Sequence, residues 1–406
     1  MSTLTLRSSQ PWQKVKLADV SERCLGKMLD AKKNKGRPLP YLRNPNVRWF
    51  EVDTTDLKTM PFEDHEHERY GLRAGDIVIC EGGEAGRAAI WDGRISDMKF
   101  QKAIHRVRPG PRLHNRFFVH RLMADHQNGQ LDDYLTGATI KHFTGQDLAR
   151  YEFLLPPLAE QKRIAGILDA ADALRAKRRE SLAQLDSLLQ STFLTLFGDP
   201  VSNPMGWEKT TIGEVVENID SGWSPSCLER PAKDDEWGVL KLGAVTYCKY
   251  RDDQTKALPP ELAPRPEIEV KQGDLLFARK NTYDLVAACA YVHATRPKLL
   301  LPDLIFRLRL SKAARAEPIF MWQQLIVPRL RKHIQSFAGG AAGSMPNISK
   351  AKLRTIEVVL PPLHLQRRFA AIVESVERQK ARQRAHLADL DALFASLQNR
   401  AFRGEL

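Results

Sequence analysis

Along residues 155–197 the seam positions Ile164, Leu168, Ala171, Leu182, Leu185, Leu189, Thr192 and Leu196 step by three and four, with Arg175 and Arg178 carrying the same step through the middle. That stripe marks one face of a helix lying on a second helix. The register returns at Phe369, Val373, Val376, Leu387, Leu390, Phe394, Leu397 and Ala401. The stretches 155–197 and 360–402 align without a gap, and 17 of 43 paired positions are identical. Pro156-Pro157 and Pro361-Pro362 suit a first helical turn, while Gly198 with Pro200, and Gly404, supply stops. Each stretch is therefore predicted as a helix of roughly 40 residues, roughly 60 Å long. A helix with one apolar stripe needs a partner, and its own copy is the obvious one. Antiparallel pairing is expected, because it puts the two intervening segments at opposite ends of the rod.

The middle of the seam is polar in both copies: Arg175 and Arg178 in one, Lys380 and Gln383 in the other. Burying cations without counterions is costly. These residues are expected where the helices splay, against acidic or phosphate groups of a partner, or at stripe edges where their stems cover apolar surface.

The intervening segments, 11–150 and 204–355, share a frame. Both open on Trp-x-Lys (Trp12-Gln13-Lys14; Trp207-Glu208-Lys209), followed by apolar pairs at Leu17/Val20 and Ile212/Val215. Both carry a Gly-Asp turn into a β-rich run, Gly75-Asp76-Ile77-Val78-Ile79 and Gly273-Asp274-Leu275-Leu276-Phe277. They then diverge, into Glu81-Gly82-Gly83-Glu84-Ala85-Gly86-Arg87 and Ala278-Arg279-Lys280-Asn281-Thr282-Tyr283. A shared frame with unlike loops suggests readers of two different ligands. The expected fold class is α+β: two α/β recognition domains at 1–152 and 201–357, with long helices at 153–200 and 358–406 related by a pseudo-two-fold internal repeat.

Bulk properties narrow the function. A chain of 406 residues exceeds one ordinary core, so several domains are expected. The net charge of +13 favours an anionic partner, most commonly nucleic acid. Cys24, Cys80, Cys227, Cys248 and Cys289 are odd in number and scattered, which argues against a disulfide framework or zinc site and for a reducing compartment. No run of signal-peptide type opens the chain, and the apolar stretch Leu285 to Val292 is too short for a bilayer, so a cytoplasmic protein without membrane partners is expected.

The Leu-Pro-Pro-Leu helix entries with their following Gln, the Gly-Asp strand turns, Pro346-Asn347-Ile348-Ser349 leading to Leu353 and Ile356, and the final Ala401-Phe402-Arg403-Gly404-Glu405-Leu406 together resemble the specificity subunit of type I restriction-modification systems. The order of these motifs, given twice at the right spacing, carries the resemblance over nearly the whole chain. The first half departs from the pattern at Thr139-Ile140-Lys141-His142-Phe143-Thr144, which concerns only a local turn. The resemblance implies that each recognition domain reads one half of a split site in double-stranded DNA and that the helices pair antiparallel. It further implies two methyltransferase subunits docked on the helices, with restriction subunits acting as translocase and nuclease. S-adenosylmethionine, Mg2+ and ATP would then belong to those partners, with no cofactor in this chain. A rod of roughly 60 Å, at about 3.4 Å per base pair, separates the half-sites by no more than about 17 base pairs.

Lys32, Lys33, Lys35 and Arg37 are candidates for backbone phosphate, and Arg87, Arg279, Lys280 and Asn281 for loop residues entering a groove; each could equally serve a solvated face or a capped turn. Catalytic signals are weak. Asp64-His65-Glu66-His67-Glu68 has metal-ligand chemistry but no partner motif, and Phe337 to Gly343 follows a predicted helix where a nucleotide loop requires a strand. Glu269-Val270-Lys271 after Asp252 and Asp253 matches a nuclease carboxylate set only at chance level, and each Pro-Pro follows Leu, unlike the Asn/Asp-Pro-Pro-aromatic loop of adenine methyltransferases. No catalytic residue and no metal site is expected in the chain. Two other readings stay open: a similar reader serving another phage-defence assembly, and a self-contained nuclease or methyltransferase.

Overall fold

A computed structural model describes residues 12–30, 32–340 and 345–406. The chain divides into two compact units, Met1–Arg179 with Ala385–Leu406, and Glu180–Arg384. The division falls inside both long helices rather than at their ends, so the helices are not domains of their own as the sequence boundaries had them. The physical reason is burial, since each globular segment covers the apolar stripes of half of each helix.

In unit 1 the strands are β1 (Gln13–Lys16), β2 (Ser21–Leu25), β3 (Arg37–Leu42), β4 (Lys58–Phe62), β5 (Ile77–Cys80), β6 (Ala88–Ile90), β7 (Lys99–Phe100) and β8 (Ile104–Pro109). Helices α1 (Asn115–Gln127) and α2 (Gly145–Arg150), strand β9 (Glu152–Leu155) and the long α3 (Leu158–Phe197) follow. A four-stranded antiparallel sheet runs β2-β8-β5-β6, a three-stranded sheet β4-β3-β7 contains one parallel pair, and β1 pairs with β9. All four residues of β5 are buried, which explains why Ile-Val-Ile-Cys reads as a continuous apolar run.

Unit 2 repeats this plan. Its strands are β10 (Glu208–Thr211), β11 (Val216–Ser221), β12 (Gly238–Leu240), β13 (Thr255–Ala257), β14 (Leu275–Ala278), β15 (Cys289–Tyr291), β16 (Leu299–Leu300) and β17 (Ile305–Leu310). Helices α4 (Pro318–Leu325), α5 (Pro328–Ser336) and α6 (Lys350–Arg354), strand β18 (Glu357–Leu360) and α7 (Leu363–Phe402) complete it. The sheet orders are β11-β17-β14-β15, β13-β12-β16 and β10-β18, matching three sheets of unit 1 with the parallel pair in the same place; unit 1 adds a short antiparallel hairpin, Val47–Arg48 with Glu51–Val52. Gly75 and Gly273 both adopt positive φ, 92° and 93°, as the tight Gly-Asp turns before β5 and β14 require.

The glutamine after each Pro-Pro entry joins long helix to globular part. Gln161, 1% exposed, donates to the carbonyls of Pro156 and Arg112 and accepts from the His114 amide, all at 2.8 Å. Gln366 does the same with Pro361, Arg315 and the Glu317 amide at 2.7, 3.2 and 2.9 Å. His114 and Glu317 are the N-caps of α1 and α4, so one buried amide satisfies an orphan donor at each helix start.

The seam residues take the following places. In unit 1, Ile164, Leu168 and Ala171 share a core with Phe394, Ala401 and Phe402. In unit 2, Leu189, Phe193 and Phe197 share one with Phe369 and Val373. Leu182, Leu185, Leu387 and Leu390 are half-buried. Within each unit the early part of one long helix thus meets the late part of the other.

The polar layer differs from expectation, because its counterions come from the chain itself. Arg175 bonds Asp391 at 2.6 Å and Asp172 at 2.7 Å, with its guanidinium 4.4 Å from the Phe394 ring. Lys380, 2% exposed, bonds Asp186 at 2.7 Å and also Glu377. Arg178 is half-buried and Gln383 is buried.

Candidate nucleic-acid interface

The divergent loops leave the central sheets at matching points, after β5 in unit 1 and after β14 in unit 2. In unit 1 the loop is latched. Arg87 donates to Glu84 at 2.9 Å and to the Asn44 carbonyl at 3.0 Å, Trp49 donates to Glu84 at 2.9 Å, and the Asn44 amide holds the Gly82 carbonyl at 2.8 Å. Beneath it burial pushes the Cys80 thiol up to about 11, against the pull of the nearby Arg87 guanidinium.

Arg87, a candidate loop residue for entering a groove, is accordingly half-buried and bonded within its own loop. Asn281 takes the capped-turn alternative. It is 7% exposed, its amide reaches the Thr246 hydroxyl at 3.4 Å, and its carbonyl accepts from the Thr282 amide at 2.8 Å. The short side chain folds back to cap its own turn, as Asn commonly does. Arg279 is half-buried, with Nε donating to the Asp303 carbonyl at 2.8 Å, and Lys280 is half-buried with its backbone bridged to Asn347.

The basic run of unit 1 lies open. Lys32, Lys33, Lys35 and Arg37 are all exposed, on the loop into β3 and at its first residue, and Lys33 stands 3.9 Å from Asp30. Gly82, by contrast, is buried, and a side chain there would meet His142 at 3.1 Å. The loop and the Thr139–Thr144 run are therefore in contact.

That run keeps the turn its sequence lacks. Phe143 donates to the Glu81 carbonyl at 2.7 Å and Thr144 caps α2, just as Ile348 donates to the Arg279 carbonyl at 2.8 Å and Ser349 caps α6. Each globular part is fastened to a long helix by charge. In unit 1, Asp169 of α3 takes hydrogen bonds from buried His120 and from Arg116, both at 2.7 Å. Burial alone would raise the Asp169 pKa, but those two bonds outweigh it and hold the carboxyl below its ordinary value. In unit 2, Lys249 reaches Asp186 of α3 at 2.5 Å.

The apparent catalytic signals find no chemistry to support. Asp64–Glu66 is a single 3-10 turn whose Glu66 pairs with Lys27 at 2.5 Å, and among the described residues no group of His, Cys, Asp or Glu is placed to hold a metal. Phe337 follows helix α5, while 341–343 of that glycine-rich stretch lie outside the described residues. No helix among the described residues is long and apolar enough to cross a membrane.

A duplicated α+β chain with one frame and two unlike loops is the class that fold and site define. The family model of the type I restriction modification DNA specificity domain matches residues 9–185. Over that stretch the chain is similar to the specificity subunits of type I restriction-modification systems. It is 37% identical to the EcoEI specificity subunit of Escherichia coli over 177 residues, which is 43% of this chain but spans only 30% of that relative. It is 23% identical to the EcoKI specificity subunit of Escherichia coli strain K12 over 397 residues, covering 91% of this chain and 82% of the relative. The fold is similar to that of a chain from a type I restriction-modification system described for its complex assembly and conformational transition, with 19% identity, TM-score 0.58 and coverage of 99% and 100%. It is also similar to the type I S subunit from M. genitalium, with 18% identity, TM-score 0.54 and 98% of each chain covered.

Proposed function

We propose that this chain is the DNA-reading subunit of a type I restriction-modification complex, with each unit reading one half of a bipartite target and α3 and α7 paired antiparallel as the spacer. The observation that carries the reading is a reciprocal pair of ion bridges: Arg175 with Asp391 in unit 1, Lys380 with Asp186 in unit 2. Arg175 and Lys380 occupy one repeat position and Asp186 and Asp391 another. Contacts of the form i to j′ and j to i′ belong to a two-fold arrangement, which antiparallel pairing of equivalent helices supplies. Identical sheet orders bearing unlike loops support two readers of unlike sequences.

In this reading two methyltransferase subunits dock on the helices and restriction subunits join them in the cytoplasm. Those partners bring S-adenosylmethionine, Mg2+ and ATP, and this chain carries out no chemistry. Single-molecule methylation mapping of host DNA with and without the gene tests it. A split motif, methylated on both strands and lost with the gene, is expected; a continuous motif, or no change, refutes it.

A further inference from the structure

Because the two central sheets share strand order and register, their residues can be matched one to one. Cys80 faces Ile104 in unit 1, and Ala278 faces Ile305 in unit 2. The next residues of the long strands, His105 and Phe306, pair back with Ile79 and Phe277, while Glu81 and Arg279 leave on the other side, donating to the carbonyls of Ala103 and Leu304. The carbonyls of Glu81 and Arg279 accept from Phe143 and Ile348, which matches the residues two places on, Gly145 and Lys350. At one place in the fold, unit 1 therefore has Glu81 at the loop base and Gly145 beside His105, a Cβ there meeting the ring at 3.7 Å. Unit 2 has Arg279 at the loop base and Lys350 beside Phe306, with Lys280 next along the loop.

The cations of unit 2 converge. The Arg279 guanidinium lies 5.4 Å and the Lys350 ammonium 5.7 Å from the centroid of the buried Phe306 ring. The bridge of Lys280 to Asn347 puts a third cation on the adjoining backbone. None of the three forms an ion pair among the described residues, and the carboxylate of Asp303, the neighbour whose carbonyl Arg279 bonds, is taken by Ser224. Like charges gathered on one ring without a counterion repel each other, and a shared anion relieves that repulsion.

We propose that Arg279, Lys280 and Lys350 form a phosphate-holding site in unit 2, filled by a backbone phosphate of double-stranded DNA, and that unit 1 has no counterpart there. The proposal rests on the DNA-reading function above and gives it an asymmetry. Unit 2 is held at this point through the backbone, whereas the Glu81 carboxylate of unit 1 repels phosphate from the equivalent place. Lys280 is then a positioning contact, which carries no sequence information itself.

The test is the full chain with Lys280→Gln and Lys350→Gln together, titrated by fluorescence anisotropy against a labelled random-sequence duplex of about 30 base pairs over about 50 to 300 mM KCl. Removing two phosphate contacts should lower the slope of log affinity against log salt by about 1.8 and weaken binding by about tenfold or more at 0.1 M salt. The loss should be equal on the mapped target duplex, and Lys280→Arg with Lys350→Arg should restore the slope. An unchanged slope, or a loss confined to the target duplex, overturns the phosphate site while leaving DNA reading intact. A wild-type chain that prefers the target duplex to the random one in no condition overturns the DNA reading itself.

Discussion

Replacing Gln161 with alanine tests whether one buried amide fastens a long helix to its globular part. The side chain is 1% exposed and serves the Pro156 and Arg112 carbonyls and the His114 amide at 2.8 Å each. Three hydrogen bonds at about 1 kcal/mol each set the scale. The stranded His114 N–H falls at the upper end of that range, since a buried donor has one proton and no second partner. The two carbonyls keep a further lone pair each and lose less. A total of about 3 kcal/mol follows, to which the residual cavity adds a little. For a unit of about 200 residues this lowers the melting temperature by about 6 to 12 °C.

Gln161→Glu separates polarity from packing. It keeps the shape but replaces the donor by an acceptor facing two carbonyls, and it buries a carboxyl. It should therefore cost at least as much as alanine near neutral pH. Differential scanning calorimetry follows the transition of unit 1, and Gln366→Ala should produce a similar loss in unit 2, where the three bonds recur. A Gln161→Glu chain as stable as wild type, or an alanine variant that loses less than about 1 kcal/mol, would falsify the account.

Three further outcomes can be measured. Lys380→Met should cost about 3 kcal/mol in urea unfolding and Arg175→Met about 1, because Lys380 is 2% exposed while Arg175 is half-buried; equal losses would show that burial is not what separates the two bridges. The Asp186 carboxyl is pushed up by burial but held below its ordinary value by the stronger bonds from Lys249 and Lys380. A depressed carboxyl stabilises the fold above its unfolded pKa and loses that contribution as pH falls through the folded value, so unit 2 should weaken below about pH 4. Asp186→Asn should flatten that part of the profile, and an unaltered acid limb counts against the bridge. Inserting seven residues in both α3 and α7, which adds about 10 Å, should lengthen the tolerated gap between half-sites by about 3 base pairs; an unchanged gap sinks the spacer role.

The helices were legible because their signals are local. A three-four seam and a Pro-Pro start need no knowledge of the rest of the chain, and the Gly-Asp turns before β5 and β14 announce themselves similarly. What depends on two distant segments was not legible. The identity of Asp186 and Asp391 was visible as a repeat, but that they neutralise Lys380 and Arg175 follows only from helix register. Asn281 looked like a groove reader because its type suits adenine edges, and only the fold shows it turned inward on Thr246 and Thr282. The two-residue strands β7 and β16, each the parallel partner in its sheet, carry too short a pattern to be read.

The asymmetries bear most on function because they sit on a frame that is otherwise duplicated. The aspartate at one repeat position serves both units, yet Asp186 takes its additional cation from the globular part, Lys249, and Asp391 takes its own from the helix, Arg179. Unit 1 fastens its globular part elsewhere, through His120 and Arg116 on Asp169. Each globular part thus sits on the common helices by its own ion pairs, and each presents its own charge at the loop base, Glu81 in one and Arg279 in the other. Duplication preserved what both halves must share, namely the sheet, the glutamine and the bridge position. Divergence then acted on attachment and loop.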